Sequence, residues 1–275
     1  MKKLVVCGDS FAKGIGCRNL ETEPYGSLVA KSLGLELVNI AKGSSTNYSI
    51  FAQVLYAIEN IDDIDMILVT STSYDRVEWF KHNENPTKHQ KEYLTNYDIN
   101  YHEYPPYMPT RYSEKIEGEQ HIMSEDLYNG NVFTENLLGI IDYFDNVVDK
   151  GIDTPDGYYK RFNDEPKRRT RILYDYAQQI HDPRINKMHS LGAMAMCHIA
   201  LKNANIKHLI GTDPIDSCKN FVFINDNNHI DLSWAGLAIK YPDDLPSLHT
   251  SAKGHRVAAK TALRRIYELD KKNGW

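Results

Sequence analysis

Apolar residues along this chain follow two rhythms. Short unbroken runs occur at Leu4-Val5-Val6, Met66-Ile67-Leu68-Val69 and Leu209-Ile210, the pattern of strands buried on both faces. The first run predicts a strand over 3–7, followed by a helix over about 24–33 and a strand over 36–40. Elsewhere apolar positions recur at helical spacing. Leu137, Leu138, Ile141, Phe144, Val147 and Val148 make one such face, and a further helix is expected over about 170–181. Met188, Leu191, Met194, Ala195, Ile199 and Leu201 predict a helix over about 186–204, which leads into a strand over 207–211 as the last crossover of a parallel sheet would. Val257, Ala258, Ala259, Ala262, Leu263, Ile266 and Leu269 predict a C-terminal helix over about 252–270, with Thr250 or Ser251 as its N-cap. Strands alternating with helices read as an α/β chain with a parallel sheet.

The rhythm breaks after Arg76. Residues 80–135 are rich in Tyr, His, Asn, Glu and Pro, centred on Tyr104-Pro105-Pro106-Tyr107-Met108-Pro109. Such prolines exclude regular helix or central strand, while the tyrosines argue against full disorder. The simplest organisation is one domain over 1–275 with 77–185 inserted as a cap, largely helical or irregular. The cap could shape a substrate pocket or build an oligomer contact.

Candidate chemistry begins where the first strand ends. Gly8 permits a sharp exit, and Ser10 then lies just beyond a strand's carboxyl end, where open α/β sheets bind ligands. Near the other end, Leu248-His249-Thr250-Ser251-Ala252-Lys253-Gly254-His255 places His249 in the loop feeding the final helix. An imidazole held there stays accessible, as a general base must.

Gly8-Asp9-Ser10, followed much later by His-x-Ser-x-x-Gly-His before a last helix, resembles the SGNH (GDSL-like) hydrolase family. The stretch Leu37-Val38-Asn39-Ile40-Ala41-Lys42-Gly43-Ser44-Ser45-Thr46-Asn47 is similar to that family's second block. The resemblance spans about residues 1–76 and 186–270. It implies a flavodoxin-like three-layer sandwich around a central parallel sheet, and an esterase or deacylase acting through Ser, His and Asp. On that reading Ser10 is the nucleophile and His249 the base. The Ser10 and Gly43 amides, with Tyr74 in place of the family's asparagine, hold the oxyanion. Asp9, Ser73 and Arg76 are the candidate substrate contacts.

Two departures stand out. The family's third block is Gly-x-Asn-Asp, whereas here the third strand runs into Thr70-Ser71-Thr72-Ser73-Tyr74-Asp75-Arg76. Losing one oxyanion donor costs about 3 kcal/mol in other enzymes. Ser71, Ser73, Tyr74 or Arg76 could donate instead, and Arg76 would suit an anionic substrate group. The family's acid stands three residues before the histidine, where this chain has Pro246. Asp243 or Asp244 could bend back to the imidazole, with Asp244 favoured, and a Ser-His dyad is the remaining option.

Composition narrows the choices. The chain has 275 residues, 41% hydrophobic and 25% charged, enough for a large core. A formal net charge of -5 gives no broad electrostatic case for nucleic acid. The basic run Lys167-Arg168-Arg169-Thr170-Arg171 is flanked by Asp164, Glu165 and Asp175, and reads as a solvated helix start. The four cysteines and eleven histidines show no metal spacing, so neither metal nor cofactor is expected. No signal peptide or membrane span is read, and a reducing cytoplasmic location fits. The expected partner is a small ester or acylated sugar. The alternatives are an SGNH-like protein that binds carbohydrate or another ligand without turnover, and an interaction protein working through its insertion.

Overall fold

The structure, a computed structural model, describes residues 1–43, 45–74, 76–80, 132–136, 183–212, 226–243 and 249–273. The described strands are β1 (Lys3–Cys7), β2 (Glu36–Asn39), β3 (Ile64–Thr70), β4 (Arg76–Phe80), β5 (Val132–Asn136), β6 (Lys207–Thr212) and β7 (His229–Asp231). The helices are α1 (Ser10–Lys13), α2 (Tyr25–Leu33), α3 (Asn47–Asn60), α4 (Pro183–Asn203), α5 (Trp234–Lys240) and α6 (Ala252–Asn273).

Five strands form one sheet in the order β2-β1-β3-β6-β7, with every pairing parallel. This is the strand order of a doubly wound flavodoxin-like sheet. Side chains alternate across a strand, so a buried apolar run feeds two cores at once. Leu4, Val6, Met66, Leu68 and Leu209 meet Val29 and Ala30 of α2 and Ala258, Ala262 and Ile266 of α6. Val5, Cys7, Ile67, Val69 and Ile210 face the other way. They pack on Ile50, Val54 and Ala57 of α3 and on Leu191, Met194, Cys197 and Leu201 of α4. Three layers result, as the resemblance implies.

Five elements go beyond the sequence expectation. β4 and β5 pair antiparallel from Arg76↔Asn136 to Phe80↔Val132, so the stretch leaving the sheet after β3 opens as a ribbon rather than an irregular segment. The prolines that argued against structure lie between these strands and leave both free to pair. β7 is three residues long and α5 seven, too short for periodicity to register. α3 was not separated from the glycine-containing loop ahead of it, because its buried face mixes Ile50 and Val54 with Asn47, Ser49 and Gln53. The helices expected over 137–148 and 170–181, the basic run at 167–171 and most of the 77–185 insertion lie outside the described residues. No helix among the described residues is long and apolar enough to cross a membrane.

Candidate active site

The turn after β1 is set by a close approach at Gly8. A Cβ there would stand 2.4 Å from the Ala12 Cβ and 2.5 Å from Thr70 Oγ1, so only glycine lets α1 fold back over the strand end. Asp9 caps α1, with Oδ1 accepting from the Phe11 N–H at 2.9 Å. Its Oδ2 accepts from the Thr72 hydroxyl at 2.7 Å. Asp9 is 1% exposed, and these bonds make it a brace between the Ser10 turn and the loop after β3. Ser10, the first residue of α1, is buried.

The loop after β2 runs alongside this turn. The Lys42 N–H donates to the Gly8 carbonyl at 3.1 Å. Gly43 follows, and a Cβ on it would lie 3.9 Å from the Ser10 Cβ, so its bare face is turned towards Ser10. Asn39 ties the same loop to α1, accepting from the Ala41 N–H at 3.1 Å and donating to the Ala12 carbonyl at 3.3 Å. Burial and the nearby Lys13 charge lower the half-buried Lys42 ammonium to about 8.

His249 comes from the far end of the chain and packs its ring on Phe11, the residue after Ser10, with centroids 4.7 Å apart. Phe11 in turn stacks on Trp234 at 5.6 Å. The backbone around His249 is held tightly. Its carbonyl accepts from the Asp243 N–H at 3.1 Å, and the Ser251 N–H donates to the Tyr241 carbonyl at 2.8 Å. Thr250 and Ser251 do not use their hydroxyls as helix caps. Thr250 Oγ1 donates to the Leu237 and Tyr241 carbonyls, and Ser251 Oγ donates to the Tyr241 carbonyl, so the loop is fastened to the end of α5.

Gly16 makes room for this loop. Its φ is +99°, and a Cβ there would meet the Thr250 carbonyl oxygen at 2.6 Å, the His249 Cβ at 3.1 Å and Asp243 Oδ2 at 3.2 Å. The Asp243 carboxylate and the His249 side chain therefore border the same small space. His255, one turn into α6, is lowered to about 4 by burial and by His249 nearby.

Of the residues singled out in the sequence, Asp9, Ser10, Gly43 and His249 are described and cluster at the carboxyl ends of the strands. Ser73 and Tyr74 lie in the loop after β3, with Tyr74 exposed. Asp244 lies outside the described residues, and Arg76 is described as a member of β4 only. Asn47 and Gln53 were missed, since amides on a helix read as surface residues, yet both are buried. Among the described residues no group of His, Cys, Asp and Glu could hold a metal ion.

No protein-family model matches the chain, and no curated protein does. Solved structures similar to it include a lipolytic protein of the G-D-S-L family from Desulfitobacterium hafniense. That match has 11% identity and a TM-score of 0.39, and covers 96% of this chain and 99% of the other. An acetyl xylan esterase from the rumen bacterium Butyrivibrio proteoclasticus matches at 12% identity and a TM-score of 0.46. All of this chain is covered there, and 65% of the esterase. A second acetyl xylan esterase matches at 12% identity with a TM-score of 0.40, covering 96% and 99% of the two chains.

Proposed function

We propose that this chain is a serine hydrolase, an esterase or deacylase of the SGNH type acting on a small ester or an acylated carbohydrate. The observation that carries the reading is the packing of His249 on Phe11, which brings an imidazole from one end of the chain beside the serine turn at the other. Gly43, with its bare face towards Ser10, supports it.

In this mechanism His249 takes the proton from Ser10 Oγ as the oxygen attacks the ester carbonyl. The Ser10 and Gly43 amides hold the oxyanion that forms. His249 then protonates the departing alcohol, and water, activated by the same imidazole, releases the acyl group. Asp243 is taken as the orienting acid, because its carboxylate and the His249 Cβ both stand against the bare face of Gly16; Asp244, the residue favoured from the sequence, lies outside the described residues. The Asp243 charge would stabilise the imidazolium formed at each transfer. Ser73, Tyr74 and Arg76 follow β3 and are the candidates for substrate contact and for the missing third donor. Asp9 acts through the turn that it caps.

Turnover of p-nitrophenyl acetate tests the proposal. Ser10→Ala is expected to abolish it, and unchanged turnover would remove Ser10 from the mechanism. A second reading, ligand binding without turnover, draws on the loop after β3: the Thr72 hydroxyl there is engaged by Asp9 and no asparagine follows it. Ligand-dependent stabilisation of a protein inert to esters would favour that reading.

A further inference from the structure

Two buried amides on α3 hold the loops at the strand ends: Gln53 those of Ser10 and Gly43, and Asn47 the loop after β3. Gly8 has left the sheet, and its buried N–H and C=O need partners. The N–H donates to Gln53 Oε1 at 2.8 Å, and the carbonyl accepts from Gln53 Nε2 at 3.1 Å as well as from the Lys42 N–H. The second Nε2 proton goes to Ser45 Oγ at 3.0 Å, and Ser45 Oγ donates to the Lys42 carbonyl at 2.9 Å. One side chain thus grips the residue two before Ser10 and a residue two after Gly43. Asn47 does the same for the loop after β3. Its Oδ1 accepts from the Thr72 N–H at 2.9 Å, and its Nδ2 donates to the Thr72 carbonyl at 3.1 Å. The Thr72 hydroxyl then closes the circuit on Asp9.

Apolar packing alone does not account for these amides. Gln53 is fully buried and sits beside Ile50, Val54 and Ala57 on the apolar side of α3. An aliphatic side chain would fill the same space, but it would leave the buried Gly8 N–H without its acceptor. What the amides add is geometry, because a fully satisfied buried polar network fixes one arrangement of the loops it joins.

We infer that Gln53 and Asn47 are positioning residues that set the gap between the Ser10 turn and the Gly43 loop, and hold the loop after β3 against both. The inference rests on Ser10 being the nucleophile. Misplacing a reacting group by about 1 Å can cost a hundredfold in rate, so the network acts on kcat rather than on substrate affinity.

The test compares the whole chain with Gln53→Met, which keeps the volume and removes all three bonds, Gln53→Glu, which keeps only the acceptor for the Gly8 N–H, and Asn47→Asp. Turnover of p-nitrophenyl acetate and the rate of Ser10 labelling by a fluorophosphonate are measured where near-ultraviolet circular dichroism shows native protein. Each variant is expected to lose about tenfold or more in kcat and in labelling rate, with KM within about threefold and, for Gln53→Met, which adds no titrating group, the pH profile unmoved. Should Gln53→Met fail to fold, the two acidic variants carry the same expectation. Folded variants with wild-type kcat overturn the inference, as does a loss that only tracks the unfolded fraction. Wild-type protein that neither turns over the ester nor takes the probe instead overturns Ser10 as nucleophile, and the inference falls with it.

Discussion

The ring of His249 lies 4.7 Å from that of Phe11, centroid to centroid, although more than two hundred residues separate them in the chain. Phe11 is also stacked on Trp234, whose ring stands 5.4 Å from that of His255. The imidazole beside the serine turn is therefore the outermost ring of an aromatic column rooted in the core between the sheet and α6. A column of this kind fixes an orientation that a lone surface histidine would lack.

Two glycines near Ser10 separate folding from chemistry. Gly8→Ala drives a methyl into the Ala12 Cβ and Thr70 Oγ1, and is expected to cost at least about 2 kcal/mol by overpacking. Gly43 lies outside the left-handed region, and a Cβ on it meets only ordinary contacts. Gly43→Ala is expected to hold stability within about 0.5 kcal/mol, while ester turnover falls about tenfold or more because the methyl intrudes beside Ser10. Urea unfolding and steady-state kinetics on the two variants check the contrast.

Asp9→Ala removes the cap of α1 and leaves the Thr72 hydroxyl buried without its acceptor. A loss of about 2 kcal/mol is expected from the two effects together. Asp9→Asn keeps the capping oxygen and should lose less. Denaturant midpoints measured at fixed slope give the comparison.

The sheet and its two long covering helices were legible in the sequence because unbroken apolar runs and helical spacing each leave one plain reading. Leu4-Val5-Val6 and Met66–Val69 read as buried strands, and the apolar stripe from Val257 to Leu269 as a helix. The serine turn and the final loop were legible because glycine, a capped turn and a histidine near a helix start are local signals. What was not legible depends on distance. Gln53 meets Gly8 across 45 positions and Thr72 meets Asp9 across 63, and no spacing rule along a chain marks such pairs. Arg76–Phe80 pairs with Val132–Asn136 across an excursion of similar length. The sequence leaves Asp243 and Asp244 both open as orienting acid, with Asp244 favoured; Asp244 lies outside the described residues, while the Asp243 carboxylate and the His249 Cβ both stand against the bare face of Gly16.

That last point yields a direct comparison. Asp243→Asn is expected to lower kcat/KM by about a hundredfold or more, since the acid holds the imidazole tautomer. Asp244→Asn should stay within a few-fold of wild type. Equal losses would reassign the acid.

Stability should depend on pH through two buried histidines. His208 is lowered to about 4, chiefly by burial, with its Nδ1 on the Ile206 carbonyl and its Nε2 on His198, and with Asp226 and Lys202 as the nearby charges. His255 is also lowered to about 4 by burial and by His249. Between about 6.5 and about 4 the unfolded chain binds protons that the folded chain refuses. Stability is therefore expected to fall as pH drops through that window, by up to about 3 kcal/mol for each group. Urea midpoints from pH 7.5 to 4.5 measure the slope. His255→Gln, which keeps an acceptor for the Tyr25 N–H, should flatten it.

The most direct measurement is the site and rate of fluorophosphonate labelling, read by peptide mass spectrometry on wild type, Ser10→Ala and His249→Asn. The account predicts a single adduct on Ser10, absent from the first variant and formed at least about a hundredfold more slowly in the second. An adduct elsewhere, or His249→Asn labelling as fast as wild type, would contradict it.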